Sequence, residues 1–233
     1  MDRVDRMATA CLELNQALTD EFGIAGALHL LGLSAQLRAD YERSAALYLE
    51  SLELKRRVNH PTLTANLGNL AQVVFHVGDV DRAITLFDEC IALNRDTGDL
   101  EHLGVVLTDL GLINLVRDDD RRAGELFNEA LEIHREIGYV RMITSTLEGL
   151  AALAGRHGFA ERAARLYGTV EAMSERISHP RHDPEQWNYA HYVSLARQQL
   201  DDDTFSTAWS AGRVMTMDEA ISFALAQSLT IAN

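Results

Sequence analysis

Four segments of this chain repeat one another at a period of roughly 40 residues, and that repetition constrains its fold more than any other feature. A unit so short cannot bury its own apolar faces and must stack on copies of itself. Matching leucines stand at Leu31, Leu70, Leu110 and Leu150, almost evenly spaced from one to the next. Each is followed by a small residue: Gly32, Ala71, Gly111 and Ala151. Further along come Ser44, Ala83, Ala123 and Ala163, and four residues after each an aromatic: Tyr48, Phe87, Phe127 and Tyr167. Three residues later lie Ser51, Cys90, Ala130 and Val170. Five column classes held in phase over four copies define a repeat.

The columns have a direct physical reading. Each unit carries two amphipathic helices, with apolar residues three and four apart. Between them lie Ala39-Asp40, Gly78-Asp79, Asp118-Asp119-Asp120 or His157-Gly158, residues suited to a tight helix-to-helix turn. The small residue lets the two helices approach closely, and the aromatic fills the space between one hairpin and the next. Only three prolines interrupt the chain, so long helices are available and the expected class is all-α.

Extending the frame upstream puts Val4, Ala8 and Cys11 in the columns of Ala83, Phe87 and Cys90. Residues 1–20 are therefore expected to form a half-repeat, the second helix of a truncated unit. Such a start fits either a natural cap or, the favoured reading, the carboxy-terminal piece of a longer protein. Residues 21–178 hold the four helix pairs, and residues 179–233 a linker and capping helices. In that tail, Asp183-Pro184 with Gln186 reads as a helix start, a helix runs to about Leu200, and the segment from Asp201 to Arg213 forms a shorter one. Thr216 with Glu219 makes a capping box that opens a last helix through Leu229. The two cysteines, Cys11 and Cys90, sit two whole repeats apart, beyond disulfide reach, and both are expected to be small packing residues.

The leucine–small pair, the alanine and the aromatic four residues later resemble the tetratricopeptide repeat. That resemblance implies a right-handed α-solenoid of antiparallel helix pairs. This sequence departs from the pattern in lacking its opening tryptophan and closing proline, and in a period of about 40 rather than about 34 residues. The tail carries a second resemblance, in Arg197, Leu200, Phe205, Ala208-Trp209, Gly212-Arg213 and Glu219-Ala220. It is similar to the endings of bacterial LuxR-type and AfsR-like (MalT-like) transcriptional regulators, which join a nucleotide-binding ATPase core to a tetratricopeptide array. The resemblance implies a sensor or interaction domain. No GxxxxGK[ST] phosphate loop and no basic recognition helix lie in this chain, so ATP binding and DNA reading would fall outside it.

Charge and composition exclude several other functions. Asp and Glu outnumber Lys and Arg by 35 to 21, which disfavours direct nucleic-acid binding. The one basic run, Lys55-Arg56-Arg57, ends a helix, where cations complement the dipole. Neither a signal peptide nor an apolar run of roughly 18 residues is present, which points to a cytoplasmic protein. His179, His182 and Asp183 cluster near His191 but lack zinc-ligand spacing, and His157 reads as a turn residue. The aspartate runs 118–120 and 201–203 fall at helix boundaries, where they cap amides. No serine sits in a glycine-flanked elbow. The expectation is no enzyme, no cofactor and no metal.

Function is then expected on the groove lined by the first helix of each pair. Threading the frame places His29, Leu33 and Gln36 there from the first repeat, and Gln72, Phe75 and His76 from the second. The third contributes Thr108, Leu112 and Leu115, and the fourth Glu148 and Arg156. Apolar anchors with few charges suit a protein or peptide partner, or a small ligand. The other possibility for Leu112 and Leu115 is that they pack on a neighbouring helix. The alternative function is a free-standing interaction adaptor, self-associating through its apolar amino-terminal end as a homo-oligomer.

Overall fold

The structure, a computed structural model, describes residues 2–177 and 183–226. These residues form twelve helices and no strand. In order they are α1 (Asp2–Ala17), α2 (Glu21–Gln36), α3 (Tyr41–Arg57), α4 (Leu63–Val77), α5 (Val80–Thr97), α6 (Leu100–Val116), α7 (Asp120–Ile137), α8 (Val140–Arg156), α9 (Ala160–Arg176), α10 (Asp183–Arg197), α11 (Asp202–Arg213) and α12 (Met217–Leu225). The chain divides into two compact units, Met1–Val106 and Leu107–Asn233. In the first, α1 packs on α2, and α2/α3 and α4/α5 form successive pairs. In the second, α7, α8 and α9 pack in sequence, α10 lies on α8 and α9, and α11 lies along α9.

The helices break at a steady rhythm, twice in every repeat. Thr19, Ala39, Asn59, Gly78, Gly98, Asp118, Gly138 and Gly158 all adopt positive φ, between 49° and 99°. A residue in the left-handed region turns the chain out of a helix, and glycine does so without Cβ strain. The residue after such a break is often an aspartate that caps the next helix. Asp79 accepts a bond from the Arg82 amide at 3.3 Å, Asp99 from His102 at 3.1 Å and Asp119 from Arg122 at 3.1 Å. Asp201 does the same for Thr204 at 2.8 Å. One residue of each aspartate run is thus tied to a helix start.

The repeat columns form the core. Tyr48, Phe87, Phe127 and Tyr167 are all fully buried, as are Ser44, Ala83, Ala123 and Ala163. The small residues matter sterically: a Cβ on Gly32 would lie 2.8 Å from the Tyr48 ring, and one on Gly111 2.6 Å from Phe127. Phe127 also fills the space over Gly149 of the following pair, whose added Cβ would strike the same ring. One aromatic therefore holds its own pair closed and seats the next. Fully burying each such side chain contributes about 1.5–3 kcal/mol.

The carboxy-terminal helices dock by a different device. A Cβ on Gly168 of α9 would overlap the Trp209 carbonyl oxygen, and one on Gly212 of α11 the Arg165 carbonyl oxygen. The two backbones touch at that crossing. Beside it, Trp209 Nε1 donates to Glu171 at 3.0 Å, and Arg213 pairs with Glu171 and, at 2.8 Å, with Glu175. Thr216 and Glu219 complete the expected capping box at the start of α12.

One expectation about the cysteines changes. Cys90 is buried as predicted, its thiol donating to the Thr64 carbonyl at 3.3 Å, but Cys11 is exposed. On α1 the column that a first helix covers in other repeats has no such cover among the described residues. His179 and His182, and the end of the last helix toward Leu229, lie outside those residues.

Candidate functional site

In the first unit, α2 and α4 bring together most of the residues expected to line a binding face. Their polar members are cross-linked. His29 Nδ1 lies 2.8 Å from Asn66 Oδ1, and Gln36 Nε2 donates to Gln72 Oε1 at 3.1 Å. Tyr48 reaches past the core and donates its hydroxyl to Gln36 at 2.9 Å. The first two bonds join positions about one repeat apart, so they form a ladder between consecutive pairs. These bonds orient the side chains of the ladder. Next to them Leu33 is exposed, and so are Leu30 and Leu37, which the threaded frame missed. The three leucines at i, i+3 and i+7 make an apolar stripe along α2. Phe75 is partly exposed, and His76 stacks on Tyr41 with ring centroids 4.5 Å apart.

In the second unit two of the residues threaded onto the groove lie in the core, Leu115 taking the packed alternative already open to it. Thr108 is 1% exposed: its hydroxyl lies 3.2 Å from His134 Nε2 and 3.0 Å from Thr146 Oγ1, sealed in the core. A hydroxyl beside an imidazole is the arrangement of an activated nucleophile, yet both groups are buried away from any substrate. Leu115 is 2% exposed, with Arg156 of α8 donating to its carbonyl at 2.6 Å. The physical reason is that α6 is apolar nearly all round, and such a helix is buried nearly all round. Leu112 remains exposed, together with Val116. Glu148 and Arg156 are half-buried. Arg156 is engaged by Asp118 and Asp120, with Asp120 also 2.9 Å from His157 Nε2. A cavity of about 290 Å³ opens beside Arg156, between Leu115, Tyr192 and Leu195.

The most unusual group has no signal in the sequence. Lys55 is the only lysine in the chain, and it is fully buried. Arg56 and Arg57, its neighbours in the last turn of α3, pair with Glu89 and, at 2.9 Å, with Glu21, as solvated helix-end cations do. Lys55 turns inward and donates to Thr62 Oγ1 at 2.7 Å and to the Thr62 carbonyl at 3.2 Å. It has no carboxylate partner among the described residues. Burial brings its pKa down to about 8. Burial, and then the Lys55 charge, hold His29 and His60 below the usual histidine range. His60 bonds Thr62 through Nδ1 and stacks on Phe22 at 3.9 Å. Lys55 thus backs the α2–α4 face without appearing on it.

No group of three His, Cys, Asp or Glu side chains is arranged to hold a metal among the described residues, and no helix there is long and apolar enough to cross a membrane.

Residues 23–96 and 61–136 match the sequence profile of the tetratricopeptide repeat. HTH-type transcriptional regulators of Mycobacterium bovis and Mycobacterium tuberculosis are 26% identical over 155 residues, covering 66% of this chain. The chain spans 17% of the length of those relatives. Among solved structures, BtubC from P. vanneervenii superposes with a TM-score of 0.69 at 18% identity, covering 100% of this chain and 94% of that one. The kinesin light chain TPR-like repeats of Podosopora anserina give a TM-score of 0.57 at 16% identity, covering 88% and 96%. The fold is a TPR-like solenoid of helix pairs, a scaffold suited to protein interaction.

Proposed function

We propose that this chain is a non-enzymatic binding scaffold that acts as the sensor or interaction domain of a bacterial transcriptional regulator. The face formed by α2 and α4 takes a protein or peptide partner with an apolar surface. One observation carries this reading: the exposed leucines Leu30, Leu33 and Leu37 run beside a polar ladder whose members already satisfy one another. A partner helix then gains apolar burial without breaking hydrogen bonds, as in helix-in-groove recognition. Similarity to HTH-type regulators supports the regulatory setting.

A labelled, leucine-rich amphipathic helical peptide, titrated by fluorescence anisotropy, tests the face. Leu33→Asp with Leu37→Asp should weaken binding at least tenfold, because each leucine buried contributes about 1.5–3 kcal/mol. The far-ultraviolet circular dichroism should not change, since both side chains are exposed. Equal affinity in the variant would discard the face. The regulatory setting is tested on the gene. An in-frame phosphate-loop ATPase or helix-turn-helix upstream of codon one supports it, and a stop codon there favours a free-standing adaptor.

A second reading, self-association, has its own observation. Val4, Met7, Leu14 and Leu18 of the α1 region are 50% to 65% exposed, and with Cys11 they fall at alternating three- and four-residue spacing. That spacing is the seam of a two-helix contact. Light scattering should show a concentration-dependent dimer that Leu14→Glu abolishes. A monomer over the whole range removes this reading.

A further inference from the structure

The second unit holds a recess larger than the one beside Arg156. Beside the glycine crossing of α9 and α11 lies a cavity of about 860 Å³, within the size range of small-molecule sites. Its origin is steric. Gly168 and Gly212 let the two backbones touch at one point, but crossing helices separate away from their contact. From α11 the gap is lined by small side chains (Thr204, Thr207, Ala208 and Ala211), which leave it unfilled, and by the exposed Asp203. Phe223 of α12 lines it from another side.

Two arginines of α9 give the cavity its chemistry. The guanidinium of Arg162 lies 5.0 Å from the centroid of the Phe223 ring, and that of Arg165 lies 4.8 Å from it. Arg162 also donates to the Ala224 carbonyl at 2.8 Å, which fixes its plane. Arg165 differs: its Nε is buried and has no hydrogen-bond acceptor among the described residues. A buried donor left without an acceptor is costly, and a ligand oxygen placed there would relieve that cost. The carboxylates on the lining, Glu161 and Asp203, are both exposed, whereas both arginines are half-buried. Cationic donors therefore lie deeper than the acids. The rest of the wall includes Phe159, Leu200 and Ala208.

We propose that this cavity is a binding site for an amphipathic organic anion. Its flat apolar body packs against Phe223, Leu200 and Ala208, and its carboxylate or sulfonate accepts a hydrogen bond from Arg165. The site belongs to the second unit and does not depend on the α2–α4 face of the first. The tail residues Ala208 and Gly212, part of the regulator-like ending, shape this site, Ala208 as wall and Gly212 as the crossing beside it.

The probe is 8-anilinonaphthalene-1-sulfonate, an aromatic monoanion whose fluorescence rises in apolar surroundings, titrated into the whole chain. Saturable one-to-one binding is expected. The uncharged analogue N-phenyl-1-naphthylamine should bind at least tenfold more weakly, and Arg165→Gln should lose at least tenfold for the anion while leaving the neutral analogue unaffected. Thr207→Trp, made at an exposed position so that the fold tolerates it, should fill the gap and abolish binding. Leu33→Asp should change nothing, which separates this site from the α2–α4 face. Equal affinity for the charged and neutral probes would overturn the proposal, as would undiminished binding in the folded Arg165→Gln or Thr207→Trp variant.

Discussion

Replacing Gly212 with alanine should lift α11 off α9 and cost the second unit about 3 kcal/mol or more, the upper end of overpacking penalties. The added methyl would overlap a carbonyl oxygen of α9, with the Arg165 carbonyl carbon at 2.8 Å and the Thr169 amide nitrogen at 3.1 Å. Backbone atoms in a helix cannot rotate aside as a side chain does. The only relief is separation of the two helices, which also loosens the Trp209–Glu171 and Arg213–Glu175 contacts. Gly168→Ala meets the Trp209 backbone in the same way, its carbonyl carbon at 2.9 Å. Once either methyl has forced the helices apart, the other has room. The double variant should therefore cost clearly less than the sum of the singles, the signature of a shared contact. Urea unfolding in a Trp187→Phe background, followed by Trp209 emission, reads this directly. Gly26→Ala is the control: nothing lies within 4 Å of its added Cβ, so it should stabilise α2 by up to about 1 kcal/mol. Equal behaviour of Gly212→Ala and Gly26→Ala would show that the crossing does not hold the cap.

The second large effect is a rise in stability with alkaline pH. In the folded chain Lys55 gives up its proton near 8, and in the unfolded chain near 10.5. Between those values the unfolded state holds one more proton, so unfolding becomes harder as pH rises. Below pH 8 both states are protonated, and the full penalty of burying the cation is present and constant. From pH 8 to about 9.5 the gain should reach about 2 kcal/mol. Tyr48 works in the opposite direction above pH 10, since burial raises its pKa and the unfolded chain ionises first. The window therefore closes before the tyrosines titrate. His29 and His60 act on the acid side: their lowered pKa values make the unfolded chain take up protons first, so stability falls below about pH 6.5. Lys55→Met should flatten the alkaline slope while the acid loss persists, weakened by removal of the neighbouring charge. Urea midpoints from pH 7 to about 9.5 decide it, and parallel curves for the two proteins would show that Lys55 is solvated.

The sequence reveals the pairs because their determinants are local and repeated. Gly32 meets Tyr48, and Gly111 meets Phe127, within a single hairpin, and four copies make the pattern unmistakable. The turn inside each pair is legible too, at Ala39, Gly78, Asp118 and Gly158. The breaks at Thr19 and Asn59 are not, because neither is a glycine and both fall between one pair and the next. The binding face is less readable. Gln36 and Gln72 lie where the frame puts them, but their bond to each other depends on how one pair seats on the next. Thr108 and Leu115 share columns with the partly exposed His29 and Gln36 of the first repeat and are nevertheless closed, since α6 is apolar nearly all round. Lys55 reads as one cation of three at a helix end, and only its inward turn toward Thr62 sets it apart. The cavity beside α9 is invisible in sequence, because Gly168 meets Gly212 across a tail that carries no repeat signal.

The solitary buried lysine has a practical consequence. An endoprotease that cuts only after lysine has a single address in this chain, and the fold keeps it shut. Cleavage into residues 1–55 and 56–233 can proceed only through molecules in which the end of α3 has come undone. When reclosing is faster than cutting, the rate measures how often that local opening occurs rather than how often the whole chain unfolds. A partner seated on α2 and α4 would slow the cut, and one bound beside α9 would leave it alone. The molecule thus carries its own one-cut gauge of where something has bound, with no label added.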